Sequence, residues 1–425
     1  MQARKSIIAL AVLASVSGAA FAGNGTVNSY QDGSFNGANI EQSGAINSTT
    51  TLNQTGNRNV AGTEGSKVLQ ASRDSNLTIL QSNAYNTAYA TQRGGVQNNA
   101  AIEQVGKTNF NSDNKQTATL TQDGSYNTGY ISQKNNLGQQ NSATLNQDGS
   151  GHTAELRQEG NNKAVATVKQ YNNDNRAYVT QKNNTDATGT VTQRGNNNTS
   201  NLTQTGSYKV TATISQDGGY NQATTTQENG TRDSTADLTQ NGNGHTGSIL
   251  QNDTWTTHAT LTQNGNNSTG TIYQNVADGS SATLSQTGSN NTGALTQKNS
   301  FDGSIQATQN GSYNRVVANQ TYGYDLSAKI TQTGDGNATT SNQTGSKNRL
   351  VATQDGYENS ILSNQAGINN LAELTQQAGG HNSIDLNQTA SAISNTARVT
   401  QSGNYLTANV TQTGGLNNNV VINQH

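Results

Sequence analysis

Glutamine returns every 11 to 13 residues from Gln147 to Gln424, alternating for most of that length between steps of about 11 and about 12. Random placement in an amide-rich chain would not hold that spacing over roughly 280 residues. The stretch 118–133 shows what lies between the markers. Ala118, Leu120 and Gln122 sit two apart, and so do Asn127, Gly129, Ile131 and Gln133. That is the period of a β-strand, whose side chains alternate between faces. One face of each run carries a small residue, an aliphatic and a glutamine; the other carries Thr119 and Thr121, or Thr128, Tyr130 and Ser132. Asp123-Gly124-Ser125-Tyr126 has turn chemistry. Strand, turn, strand, turn makes a unit of some 23 residues, and roughly 34 half-units give about 17 full repeats.

Such a unit predicts one winding of a two-sheeted, all-β parallel solenoid, with windings stacked at about 4.8 Å. Ala259, Leu261, Gln263, Gly265, Ser268, Gly270, Ile272 and Gln274 would lie over Ala282, Leu284, Gln286, Gly288, Asn291, Gly293, Leu295 and Gln297. Composition demands help beyond apolar burial. Hydrophobic residues are 29% and charged residues 11% of the 425, against roughly 45–50% and 25% in ordinary globular domains. An amide carries both donor and acceptor, so identical amides at strand spacing can satisfy one another in a ladder. The expected ladder includes Gln31, Asn36 and Gln42, then Gln122, Asn127 and Gln133, then Gln216, Asn221 and Gln227, then Gln286, Asn291 and Gln297. Gly33, Gly124, Gly218 and Gly288, two places after a marker, permit the positive φ of a tight corner. Proline and cysteine are both absent, so no residue lacks a ladder N–H and no disulfide staples the chain. The net charge of −2 suggests no steering toward nucleic acid.

The first 22 residues read differently. Arg4 and Lys5 precede a mostly apolar run over 6–16, and Ala20-Phe21-Ala22 fits a small-x-small cleavage site. This predicts a secretory signal peptide over 1–22, a repeat region over 23–425, and no membrane span in the mature chain. The early repeats are less regular. Register slips at 62–70, where Glu64-Gly65-Ser66-Lys67 looks like a looped insertion, again at 109–115, and near 135–140.

The pattern Gln-x-Gly-x-x-Asn-x-Ala-x-x-x-Gln resembles the curlin repeat. Gln31, Gly33, Asn36, Ala38 and Gln42 match it position for position, as do Gln216, Gly218, Asn221, Ala223 and Gln227, and the ending Asn418-x-Val420-x-Ile422-x-Gln424 resembles a curlin terminus. The resemblance implies a subunit of curli: extracellular bacterial amyloid fibres used for adhesion and biofilm matrix. It also implies partners: further copies of itself, a minor nucleator subunit, an outer-membrane exporter and periplasmic chaperones. The usual curlin chain has about five repeats, and Gly23-Asn24-Gly25 leads almost directly into the first repeat here, without the Gly-rich stretch that the exporter reads. No capping helix, charged run or proline closes either end, so Gln31 and Asn36 at one end and Gln412 and Gln424 at the other are expected to meet in a head-to-tail, non-closing filament.

Other regularities are weaker. Charges favour the outward place after a marker, as at Asp123, Asp217, Arg194 and Glu228, and the order Lys134, Glu159, Lys182 would set opposite signs on successive windings. Phe35, Tyr85, Tyr126, Tyr208, Tyr220, Tyr313 and Tyr405 lie four places after a marker and would crop out along the rod edge; Trp255 has no evident role. His152, His245 and His381 fall five places after a marker and read as substitutes in the Asn column rather than metal ligands. No catalytic constellation, phosphate loop or cofactor motif is present, so the reading is a non-enzyme. Rivals within reach of the sequence are a nucleator or anchoring subunit, a non-polymerising adhesin, and a Thr-x-Thr ice-binding solenoid, although Asn146, Lys169 and Asp237 interrupt the threonine array.

Overall fold

The computed structural model describes residues 23–106, 115–138 and 140–425. The expected signal peptide and the second register slip, near 109–115, fall outside the described residues or nearly so. Within them the chain is all strand and turn. It winds between two parallel sheets. The first is 17-stranded and runs from Thr26–Ser34 to Thr407–Gln412. The second runs from Gly37–Ala38 and Ile40–Gln42 to Asn419–Gln424. Each strand pairs with the strand one full winding away, as the roughly 23-residue period requires.

Register follows the sequence pattern. Ala259 lies beside Ala282, Leu261 beside Leu284, Gln263 beside Gln286 and Gly265 beside Gly288; Gly270, Ile272 and Gln274 lie beside Gly293, Leu295 and Gln297. A one-residue slip would turn every glutamine and leucine outward, so the alternation enforces the register. Inside, Leu261, Ile272, Leu284 and Leu295 are fully buried. Burial of each such side chain is worth about 1.5–3 kcal/mol. The sheets approach closely because small residues face large ones: a Cβ at Gly270 would meet Cδ1 of Leu261 at 2.5 Å, and one at Gly293 would meet Cδ2 of Leu284 at 2.5 Å.

The early irregularity has a definite form. In the first two windings the second-sheet strand is broken, into Gly37–Ala38 with Ile40–Gln42 and Val60–Ala61 with Val68–Arg73. Residues 62–67 loop out between the latter pair, closed by an antiparallel bridge between Thr63 and Ser66. Among the described residues both sheets are open: Thr26–Ser34 pairs there only with Thr49–Asn57, and Asn419–Gln424 only with Thr396–Ser402.

Candidate assembly site

The marker glutamines form two ladders through the interior. In the first sheet each donates Nε2 to Oε1 of the next, from Gln31 to Gln54 and onward through Gln133 to Gln158 at 2.7 Å, Gln227 to Gln251 at 2.8 Å and Gln297 to Gln320 at 3.0 Å, ending at Gln412. In the second, Gln122 donates to Gln147, Gln216 to Gln240 and Gln286 to Gln309, each at 2.8 Å, and Gln401 to Gln424 at 2.7 Å. The direction is the same throughout. It is fixed because Nε2 also donates to a backbone carbonyl of the opposite sheet, as Gln122 does to Asn99 O at 2.9 Å, and only the amide nitrogen can do that.

One step is missing. Gln42 donates to Gln70 at 3.2 Å, but Nε2 of Gln70 turns to Ser75 O at 2.8 Å, and Oε1 of Gln92 is buried without a partner. The gap falls beside the 62–67 loop, where register shifts between Ala71 and Arg73. An unsatisfied buried acceptor costs about 1–3 kcal/mol. The first two windings are therefore expected to exchange their amide hydrogens faster than the rest, and hydrogen exchange that showed them as well protected as windings beyond Gln122 would contradict this.

The four asparagines expected in the ladder act differently from the glutamines, although Asn86 and Asn136 elsewhere do make amide-to-amide bonds, to Asn59 and Gln116. Nδ2 of Asn127 donates to Gly149 O at 2.9 Å and its Oδ1 accepts from the backbone N–H of His152 at 3.0 Å. Asn221 does the same toward Gly242 O at 2.8 Å and His245 N, Asn291 toward Gly311 O at 2.8 Å and Asn314 N, and Asn36 toward Gly56 O at 2.9 Å and Asn59 N. These are side-chain-to-backbone clamps, not rungs of an amide ladder. At a corner the backbone turns out of the sheet, and its N–H and C=O need partners that the sheet no longer supplies. The corner glycines stack directly: Gly33, Gly124, Gly218 and Gly288 have φ of +113°, +114°, +115° and +108°.

The two ends of the rod present the ladder unfinished. Among the described residues nothing donates to Oε1 of Gln31 or Gln42, and no ladder acceptor lies ahead of Gln412 or Gln424. Asn36 lies at the corner that follows Gln31 in the first winding, donating to Asp32 O at 3.1 Å.

Comparison with known families finds the curlin associated repeat at residues 116–149 and again at 323–356. Two segments of the chain thus match that repeat. No curated protein matches the chain. The two matched segments each span a second-sheet strand, Gln116–Ser125 or Ser327–Asp335 with its following winding, and so carry the ladder and clamp just described.

Two expectations need correction. The aromatics do not form one strip. Phe35, Tyr85 and Tyr208 follow first-sheet markers, whereas Tyr126, Tyr220, Tyr313 and Tyr405 follow second-sheet markers and lie at the other corner. Those four recur every fourth winding, about 19 Å apart, each exposed and at φ near +60°. Gly151, Gly244 and Gly336 follow them at the same corner one winding on. The backbone of Trp255 lies in register between Arg232 and Asp278 through single parallel bridges. His381 is not in the Asn column. An extra residue before Gly379 shifts the register, so Asn382 takes the clamp, donating to Gly403 O at 2.8 Å and accepting from Leu406 N at 2.9 Å. His381 stands at the corner instead, against Glu358 at 3.0 Å and stacked on Tyr405 at 4.9 Å.

His152 and His245 do occupy the clamp column. Nδ1 of each accepts from the next winding, Asn175 N at 3.3 Å and Ser268 N at 3.2 Å. Burial lowers both pKa values below the ordinary 6.5. An accepting Nδ1 also requires the neutral ring on that side. The folded state thus binds fewer protons than the unfolded one below about pH 6.5, so the histidines leave stability intact above that pH and reduce it as pH falls through the folded values. Replacing both with Asn should remove much of the acid sensitivity of the windings around them, read as the pH dependence of urea unfolding; an unchanged profile would contradict it.

Charge pairing is sparse. Glu159 lies between Lys134 and Lys182 in register, as expected. Lys182 pairs with it at 3.4 Å, but Lys134 pairs instead with Glu103 at 2.9 Å on the preceding winding. Burial works against the Glu103 carboxylate, yet hydrogen bonds from Tyr130 and Lys134 outweigh it and hold its pKa below the usual range. Being half exposed, such pairs contribute about 0–1 kcal/mol.

Proposed function

We propose that this chain is a secreted structural subunit, not an enzyme, that assembles head-to-tail into extracellular curli-like amyloid fibres for adhesion and biofilm matrix. One observation carries the reading: among the described residues both ends of the rod are open strands in the same side-chain order as the interior, with ladders that run one way. Gln412 of one copy would donate to Gln31 of the next, and Gln424 to Gln42, with Asn36 in the same contact. Such a contact is heterologous and does not close. Residues 1–22 would direct export, and the partners would be further copies, a nucleator, an outer-membrane exporter and periplasmic chaperones.

Edge-blocking proline tests this without touching the interior. Asn418 O accepts from Thr396 N and Leu406 O from Ser383 N, so the alternate positions Val421 and Asn409 face away from the rod. Proline there removes an outward N–H and obstructs an incoming strand while sparing the inner bonds. Val421→Pro with Asn409→Pro should leave a folded β monomer whose thioflavin-monitored elongation is slowed at least about tenfold, a loss of some 1.4 kcal/mol or more in the growth contact. Growth at the wild-type rate by a folded double variant would sink the proposal.

A further inference from the structure

One corner of the rod carries a column of bridged residues, one per winding, that is unlike the rest of the surface. Tyr208, Arg232, Trp255, Asp278 and Phe301 follow each other by single parallel bridges. Tyr208, Trp255 and Phe301 are 40%, 55% and 45% exposed. Neither Arg232 nor Asp278 has an ion-pair partner among the described residues; Asp278 Oδ1 accepts only from Thr256 Oγ1, at 3.1 Å. Three aromatic side chains on alternate windings, about 9.6 Å apart, are thus separated by one cation and one anion.

The order reads the same from either end with the charge inverted. We infer that this column is an interface for a second copy of the chain lying alongside, antiparallel, about a two-fold axis at Trp255. Trp255 then meets Trp255 of the second copy, Arg232 meets its Asp278, Asp278 meets its Arg232, and Tyr208 meets its Phe301. An isologous contact requires that self-complementarity. A parallel partner would set Arg232 on Arg232 and Asp278 on Asp278, which is repulsive. The match extends outward: five windings to either side of Trp255 stand Leu137 and Ile368, both exposed and apolar, which the same axis brings together. The contact is then roughly 48 Å long. At the width of one side-chain row on each copy it buries on the order of 1,000 Å², the lower bound for a specific interface. This lateral pairing is independent of end-to-end growth and would hold whether or not the chain makes fibres.

Sedimentation velocity on the edge-blocked double proline variant, which cannot extend at its C-terminal end if the growth proposal holds, separates the two. A concentration-dependent dimer is expected. In that background Arg232→Asp alone and Asp278→Arg alone should each weaken the dimer at least about tenfold, as like charges then face one another. Mixed in equal amounts, the two should recover it. In the mixed pair the two substituted positions face each other with opposite charge, and the unaltered Asp278 of one copy faces the unaltered Arg232 of the other. Trp255→Ala should weaken the dimer comparably. Circular dichroism checks that each variant keeps its sheet. Wild-type pairing by folded single variants, or no recovery on mixing, would overturn the inference. So would a monomer that instead sediments with β-linked glucan particles in a Trp255-dependent way, since the ridge would then be a sugar platform.

Discussion

Gln216→Glu is expected to open the middle of the solenoid at neutral pH and to spare it in acid. Gln216 is fully buried; it accepts from Gln193 Nε2 at 2.9 Å and donates to Gln240 Oε1 at 2.8 Å and Thr199 O at 3.1 Å. A glutamate is nearly the same shape. Ionised, it still accepts from Gln193 but has no proton for two oxygens that now face a negative charge. Burying an unpaired charge costs several kcal/mol. Protonated, it has one donor and restores most of the ladder. Its folded pKa must then lie above the unfolded value of about 4.3. The sign follows: the variant keeps its stability below that value and loses it as pH rises through the folded pKa. Because the rod is quasi-one-dimensional, the damage should centre on the windings around 193–240. Hydrogen exchange relative to wild type at the same pH measures it. Gln216→Leu should cost about 2–5 kcal/mol at every pH, since it strands the Gln193 donor and the Gln240 acceptor and also removes the bond to Thr199 O. A Gln216→Glu chain within about 1 kcal/mol of wild type at pH 7, less than one hydrogen bond to a charged group is worth, would show that the ladder does not hold the core.

The second large effect is at the glycine stack. Gly265 has φ +118°, and a Cβ there would lie 2.1 Å from Gly288 O of the next winding. The obstacle is backbone, repeated one winding apart, and cannot rotate away. Gly265→Val should cost at least about 3 kcal/mol, the upper range for backbone strain, and lower the denaturant midpoint of the surrounding windings. Two controls bracket it. Gly37→Ala meets nothing within 4 Å at an ordinary φ and should be silent, whereas Gly270→Ala meets side chains alone, the Leu261 methyls and Gln286 Oε1, and should cost about 1–3 kcal/mol. Equal midpoints for Gly265→Val and Gly37→Ala would refute the close-stacking account.

Period, winding count and register were legible in the sequence because each rests on a strict alternation that a buried ladder enforces. The loop at 62–67 was legible for the same reason, as a departure from the period. The asparagine clamps were not separable from the glutamine ladder, since both are amides on one periodic column; only the turned backbone at the corner distinguishes them. His381 was misplaced because one inserted residue before Gly379 shifts the count, and counting from the marker cannot see which residue the bulge absorbs. Trp255 carried no signal because its neighbours in the column, Arg232 and Asp278, are 23 residues away in either direction and follow no fixed offset in residue type. Lys134 lies directly beside Glu159 yet pairs with Glu103, diagonal to it on the preceding winding, where Tyr130 also donates to that carboxylate.

Fibre diffraction on the purified chain, with electron microscopy of the same sample, tests the central claim most directly. Filaments are expected with a meridional reflection at about 4.8 Å and a subunit repeat near 80 Å, the length of 17 windings at strand spacing. A chain that stays a dispersed monomer, or whose strands run along the fibre axis, would contradict it.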